Sequence, residues 1–253
     1  IIDNISRYLG KDPLEIRKKN FYKKNRKNIT HYGMKIEDNV INEIFNKLIK
    51  KSNYKKRYSK IKKFNLKNKY KKKGIAITPV KFGISFTTIH LNQAGALVHI
   101  YTDGSVHLNH GGIEMGQGTH TKIAQLVSKS FGISYEKVQI SSTNTSKVPN
   151  TSASAASSTT DLNGAAALDA VKKIKLNLEK FIKNKYKISA KKNVVYKNEK
   201  ILIGKYIFKF NDIVQEAYLN RISLSSNGFY STPKINFNKQ KFYGRPFLYF
   251  CYG

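Results

Sequence analysis

Residues 96–110 read ALVHIYTDGSVHLNH, and no other stretch narrows the possible folds as much. Apolar and polar residues alternate on both sides of Asp103 and Gly104, a pair that tolerates the positive φ angles of a tight turn. The spacing predicts two antiparallel strands. GGIEMGQGTHTK follows at residues 111–122, with four glycines inside eight residues. Ile123, Leu126, Val127 and Phe131 then fall at helical spacing, and Gly132 stands where a C-terminal cap belongs. The segment is therefore a strand, a glycine loop and a helix in immediate succession.

A second junction of the same kind comes next. VQISSTNTSKVPN reads as a short strand entering TSASAASSTTDLNG, a run of small and hydroxyl-bearing residues. A helix follows, with Leu168, Val171, Ile174, Leu178, Phe181 and Ile182 on one face. The first amides of a helix lack partners within it, and the helix dipole makes that end positive, so a small-residue loop feeding it suits an anion. Two such loops in one domain point to one extended, phosphorylated ligand held between them. A plain turn at the first loop and a flexible linker at the second are the rival readings. The gap from Gly111 to Gly116 matches a P-loop, but Gln117 stands where that loop carries lysine, and the dinucleotide Gly-x-Gly-x-x-Gly spacing is absent. A metal held by His107, His110, Glu114 and His120 is disfavoured, because His107 and His110 point to opposite faces of a strand.

The rest of the chain divides by composition. Residues 1–25 contain two short helices, the second with Asp12 as N-cap and Pro13 at the first helical position. Residues 26–73 form a basic helical connector in which Val40, Ile41, Ile44, Phe45, Leu48 and Ile49 share a face. From residue 74 to 253 lysine thins and β-branched and aromatic residues increase. Residues 185–220 read as peripheral, and the last stretch returns to strand-like alternation with turns at Asn227-Gly228 and Gly244-Arg245-Pro246.

The net charge of +32 suggests a nucleic-acid partner, but of 47 basic residues only six are Arg, leaving 41 Lys. Specific readers of phosphate and bases favour the bidentate guanidinium. Lysine here travels with Asn, Ile and Tyr, residues that share AT-rich codons, so we read it as solvated surface with no specific nucleic-acid partner. No apolar run approaches the ~20 residues of a membrane span. The expectation is a soluble, cytoplasmic protein. One cysteine, Cys251, cannot hold an iron–sulfur cluster, which usually takes four. The chain opens without methionine and stops inside an apolar run, as a piece of a longer polypeptide would.

KFGISFTTIHLNQAGALVHIYTDGSVHLNHGGIEMGQGTHTKIAQ, then KVPNTSASAASSTTDLNGAA, then GFYSTPKINF resemble the molybdenum-binding portion of the xanthine dehydrogenase and aldehyde oxidase family. LGKDPLEIRKKNFY near the start is similar to it too. The likeness spans nearly the entire chain and weakens at about 50–72 and 183–212. It implies an α+β fold of mixed sheets with flanking helices. Residues 1–25 would be the tail of a first molybdopterin-binding domain and 74–253 a second one.

The implied activity is that of a molybdenum hydroxylase oxidising hypoxanthine or xanthine to urate. Electrons would pass to [2Fe-2S] clusters, FAD and NAD on another domain or subunit, in a dimer of the full enzyme. An aldehyde oxidase-like hydroxylase is the near alternative, and a basic, non-specific nucleic-acid-binding protein the distant one. Carried over by motif position, Gly116, Gln117, Ala155, Ala156, Ser157 and Thr159 bind the molybdenum-molybdopterin. Gln117 and Ala156 would touch ligands of the metal without coordinating it, and the Gln117 amide would donate to an oxygen there. Phe86 stacks on the purine ring, and Thr87 hydrogen-bonds the substrate.

The family's catalytic glutamate falls beyond Gly253, and its arginine loop and substrate-binding Glu and Arg fall before Ile1. No catalytic residue is thus assigned within the chain. The purified 253-residue chain is expected neither to retain the cofactor tightly nor to turn over purine. Steady-state xanthine oxidation by that chain, followed as urate absorbance, would contradict this.

Overall fold

The computed structural model describes residues 1–147 and 150–253; Val148 and Pro149, which belong to the second junction, lie outside the described residues. The chain forms two compact units, residues 1–87 with 234–253, and residues 88–233.

The first unit opens with α1 (Ile2–Tyr8) and α2 (Pro13–Lys19). The Asp12 carboxylate accepts from the Leu14 amide at 2.8 Å, so the expected cap is present. α3 (Ile41–Ser52) buries Ile41 and Phe45. Its neighbour α4 (Tyr54–Lys67) lies in the segment expected to be a basic helical connector. That segment turns helical because Tyr54 packs with Leu14, Phe45 and Ile77, while its lysines stay in water. β1 (Lys81–Ile84) belongs to this unit too.

The second unit carries β2 (Gln93–Ile100), β3 (Val106–His110), α5 (Thr119–Phe131), β4 (Val138–Ile140) and α6 (Thr159–Lys185). It continues with a meander of β5 (Val194–Lys197), β6 (Lys200–Ile203) and β7 (Tyr206–Lys209), then α7 (Phe210–Leu219) and β8 (Ser225–Ser231). The remaining strands, β9 (Asn236–Asn238), β10 (Tyr243–Arg245) and β11 (Tyr249–Tyr252), return to the first unit, where β11 pairs antiparallel with β1 and β10 with β9.

The hairpin of β2 and β3 forms as expected. Tyr101 N donates to Ser105 O, Gly104 takes φ +81°, and the Asp103 carboxylate accepts from the Ser105 amide. The sheet order is β4-β3-β2-β8, with β3 and β4 parallel and the other pairs antiparallel, so the sheet is mixed. Ala94, Ala96, Val98 and Ile100 alternate onto one face of β2 and are at most 1% exposed. α5 adds Ile123, Val127 and Phe131 to this core, and α6 adds Ala166, Ala170, Val171, Ile174 and Leu178.

Three sequence expectations change here. Asn227-Gly228 is not a turn but the middle of β8, opposite Leu97 and Ala96. Gly228 is small because α6 lies directly on it: a β-carbon there would sit 1.9 Å from Ala166 O and 2.6 Å from Ala170 N. Likewise Gly244 and Arg245 lie in β10, and only Pro246 lies past its end. Residues 185–220 are not peripheral, since Ile201, Ile203, Phe210, Ile213 and Val214 are buried in the main core. Their lysines mask a strand pattern whose inward positions are apolar.

Replacing Gly228 with alanine is expected to cost about 3 kcal/mol or more, because the obstructing atoms are helix backbone and cannot rotate away. Ser225→Ala on the same strand, at an exposed position, should stay within about 0.5 kcal/mol. Urea unfolding of both variants checks the contrast, and equal midpoints would sink it.

Candidate functional site

Both junctions form as the sequence predicts, and both helices begin beside one another in the second unit. α5 starts at Thr119 directly after the glycine loop and closes at Gly132, whose N–H reaches Lys129 O while Ile133 N–H reaches Ser128 O. α6 starts at Thr159, inside the run of small residues, earlier than the apolar face alone suggested. A direct bond ties the loops: Ile113 N–H donates to Ser154 Oγ at 2.8 Å. Thr143 Oγ1 donates to His110 O and Gly112 O, and Thr151 Oγ1 to Asn163 Oδ1 on α6, so hydroxyls fill the polar gap between the strand ends and the helix starts.

The glycine loop satisfies itself. Glu114 Oε1 accepts from the Gly116 and Gly118 amides, each at 2.9 Å, and Oε2 from His120 N at 3.0 Å. Gln117 Oε1 accepts from Met115 N at 2.6 Å, while its Nε2 donates to Ile113 O at 2.8 Å. Amides that the sequence reading reserved for a bound anion are thus taken by the loop's own side chains. The anion at the start of α5 is the Glu114 carboxylate itself. Hydrogen bonds from His120, Gly118 and Gly116 hold its pKa down to about 2, against the ordinary 4.5.

The start of α6 is different. Ser158 takes the N-cap position without a side-chain cap bond; its hydroxyl donates instead to Ala155 O at 3.0 Å. Ala156 and Ser157 before it hold φ angles of +52° and +54°, a left-handed conformation that non-glycine residues seldom adopt. A cavity of about 310 Å³ opens at this point, lined among others by Gln117, Lys122, Ala155, Ser157, Thr159 and Thr160. Four of the six cofactor residues expected from the sequence therefore meet at one cavity. Gly116 adjoins it in sequence, its backbone exposed at φ +95° with no atom within 4 Å of where a β-carbon would stand. Ala156 is half-buried within the second loop.

Phe86 and Thr87 belong to the first unit. The strand ends at Ile84, before both residues, and Ser85 takes φ +145°. Phe86 is half-buried and Thr87 exposed. Sequence reasoning missed Ser154 as the tie between loops, Glu114 as an internal ligand, and Lys122, whose Nζ donates to Gln117 O at 3.1 Å. A carboxylate four residues after a strand and two before a glycine was the available signal for Glu114. Lys122 had none, because its partner is a carbonyl set by the loop's shape.

His110 lies beneath the loop, 1% exposed. Its Nδ1 accepts from Gly112 N–H at 3.1 Å, which assigns the proton of the neutral ring to Nε2, and that atom has no partner among the described residues. The ring stands edge-to-face with His120, centroids 5.0 Å apart. Burial first, and His120 second, lower its pKa to about 4, with Glu114 acting the other way. Among the described residues no three His, Cys, Asp or Glu side chains are grouped to hold a metal ion. No helix among them is long and apolar enough to cross a membrane.

Residues 47–253 match the profile of the molybdopterin cofactor-binding domain. The chain is 42% identical over 252 residues to xanthine dehydrogenase/oxidase of Gallus gallus, covering 100% of this chain and 17% of that protein. It is 41% identical over 255 residues to xanthine dehydrogenase of Dictyostelium discoideum, again covering 100% of this chain and 17% of the relative. Among solved structures, CO dehydrogenase from Oligotropha carboxidovorans superposes with a TM-score of 0.75 at 18% identity, over 92% of this chain and 31% of that one. The aldehyde oxidoreductase of Desulfovibrio desulfuricans gives 0.70 at 21% identity, over 99% and 24%. These likenesses establish the fold, an α+β arrangement of mixed sheets with flanking helices.

Because the folded His110 pKa lies below the ~6.5 of an unfolded histidine, the unfolded chain binds the extra proton between those values. Its contribution to stability is therefore complete above about pH 6.5 and is lost as pH falls toward 4, a change on the order of 3 kcal/mol. The stability difference between the wild type and His110→Gln should shrink by that amount between pH 7 and pH 4 in urea titrations. A difference that does not vary with pH would contradict it.

Proposed function

Because the chain belongs to the molybdopterin cofactor-binding domain family, we propose that it is the cofactor-holding portion of a molybdenum hydroxylase of the xanthine dehydrogenase type. The chain spans about a sixth of the length of the xanthine dehydrogenases it resembles, 17% in each case. The activity is therefore that of a longer enzyme, with hypoxanthine or xanthine as substrate. The observation that carries the reading is the convergence of both loops on one cavity, with Gln117, Ala155, Ser157 and Thr159 on its wall.

The cavity suits the group chemically. A pyranopterin is flat, rich in hydrogen-bonding atoms and phosphorylated. The wall offers hydroxyls from Ser157, Thr159 and Thr160, the Lys122 ammonium, and the start of a 27-residue helix that no side chain caps. When bound, the group supplies an electron-accepting molybdenum at which a ring carbon is hydroxylated with oxygen from water.

The protein's own part is placement. Gln117 Nε2 has two hydrogens, and Ile113 O engages one of them. The second is the donor we assign to an oxygen on the metal. Ala155 and Ala156 present only methyl groups, so the metal face can approach closely, and Ala156 would contact the metal's ligands without coordinating them. Ser157 and Thr159 hydrogen-bond the pterin. The flat Phe86 face suits a heteroaromatic ring, at about 0.5–1.5 kcal/mol beyond area burial, and Thr87 supplies a hydroxyl to the substrate. Iron–sulfur clusters, FAD, a dimeric assembly and a cytoplasmic location complete this proposal for the whole enzyme.

In the full-length enzyme, Gln117→Ala is expected to lower kcat for xanthine roughly 10–100-fold, the usual scale for groups that orient a metal's ligands. Unchanged turnover would remove the role. Turnover of aldehydes, with none of hypoxanthine or xanthine, would replace the purine reading with the aldehyde oxidase-like one.

A further inference from the structure

The glycine loop raises a question of specification. Gly116 and Gly118 hold φ angles of +95° and +75°, and a β-carbon on either would meet no atom within 4 Å. No neighbour among the described residues crowds the space a side chain would take there, and glycine backbone has little conformational preference of its own. Their amides nevertheless converge, with that of His120, on the two oxygens of Glu114. Hydrogen bonds to an ionised acceptor are about twice as strong as neutral ones. They are here reinforced by the positive end of α5, which has no other acid in its first turn. The carboxylate thus gathers three amides of this loop and favours this shape over the others glycine permits.

Gln117 sits at the crest of the same loop, between the two glycines that Glu114 grips. Its own side chain ties the opposite edge, at Ile113 and Met115, and Lys122 pins its carbonyl. The direction in which Gln117 presents its amide is therefore set by residues 116 and 118, and through them by Glu114.

We infer that Glu114 is a positioning residue: its carboxylate stands in for an external anion at the start of α5 and so fixes the backbone that aims Gln117 into the cofactor cavity. This rests on the reading of that cavity as the molybdopterin site. The chemistry distinguishes the possible side chains. Glutamine offers one acceptor oxygen and turns an N–H toward a third donor, aspartate is a methylene short, and alanine leaves three amides without an acceptor.

The test uses the intact enzyme with Glu114→Ala and Glu114→Gln, read by amide hydrogen exchange over residues 113–122, molybdenum content and steady-state turnover. Exchange at residues 116, 118 and 120 should accelerate in both variants, and kcat for the hydroxylation should fall ~10-fold or more. Formate should slow exchange and restore turnover in Glu114→Ala, where it can enter the vacated space, and not in Glu114→Gln or in Gln117→Ala. Wild-type exchange in Glu114→Ala, faster exchange with turnover within two-fold of wild type, or no response to formate would each overturn the inference. A wild-type enzyme without molybdenum would instead overturn the functional reading and leave the exchange result standing.

Discussion

The structure depends on how closely α6 lies against the sheet. At the crossing, Ala96 on β2 and Gly228 on β8 face each other in register, and the helix brings Ala166 and Ala170 down on them. With at most one methyl per position, helix backbone rests almost on strand backbone. Dispersion between close-packed backbones is weak per atom pair and large in sum. Close contact also removes rotational play, because rolling α6 would bring larger side chains such as Val171 into a gap that admits no more than a methyl group. The start of α6, about two to three turns upstream of the contact, is consequently placed with little freedom, and with it the loop that lines the cavity.

Around that anchor the polar groups are arranged so that few are left to chance. The strand end at His110, the glycine loop and the segment before α6 carry backbone amides that no ladder or helix can satisfy. In the glycine loop Glu114, Gln117, Ser154 and His110 accept from such amides, while the Thr143 hydroxyl donates to the carbonyls of His110 and Gly112. Most of this ordering happens on folding, so a ligand arriving at the cavity meets a loop already shaped and does not have to bear the entropy of shaping it.

Much of this was legible in the sequence, and the parts that were not share a cause. Asp103-Gly104, Asp12-Pro13 and Gly132 act locally, and each element they mark appeared in place. The two small-residue loops were recognisable as helix entries, and Gln117, Ala155, Ser157 and Thr159 were brought to one wall. Gly228 was misread as a turn because a glycine in sequence looks the same whether it bends the chain or admits a helix; only the tertiary neighbour decides. Residues 185–220 read as peripheral because lysines at outward positions dilute the apolar signal of Ile201, Ile203 and Ile213. Glu114 reads in sequence as a weak metal-ligand candidate, and its place ahead of two glycines is the sole hint of its role as acceptor, because its partners are backbone amides, which carry no sequence identity.

Ala156 and Ser157 hold consecutive left-handed backbone conformations beside the cavity. Each such residue costs about 1–2 kcal/mol relative to glycine, which would relax there at once. Glycine, however, would let that segment sample many shapes, whereas alanine and serine admit few. The strain works as a stiffener: the segment before α6 resists deformation from either side, and a side chain branched at the β-carbon is barred from both positions. Variation among sequences of this family at 156 and 157 should therefore avoid residues branched at the β-carbon, a limit set by backbone torsion and independent of what the cavity binds; it does not limit length, since Lys187 and Glu199 hold similar positive φ in this chain.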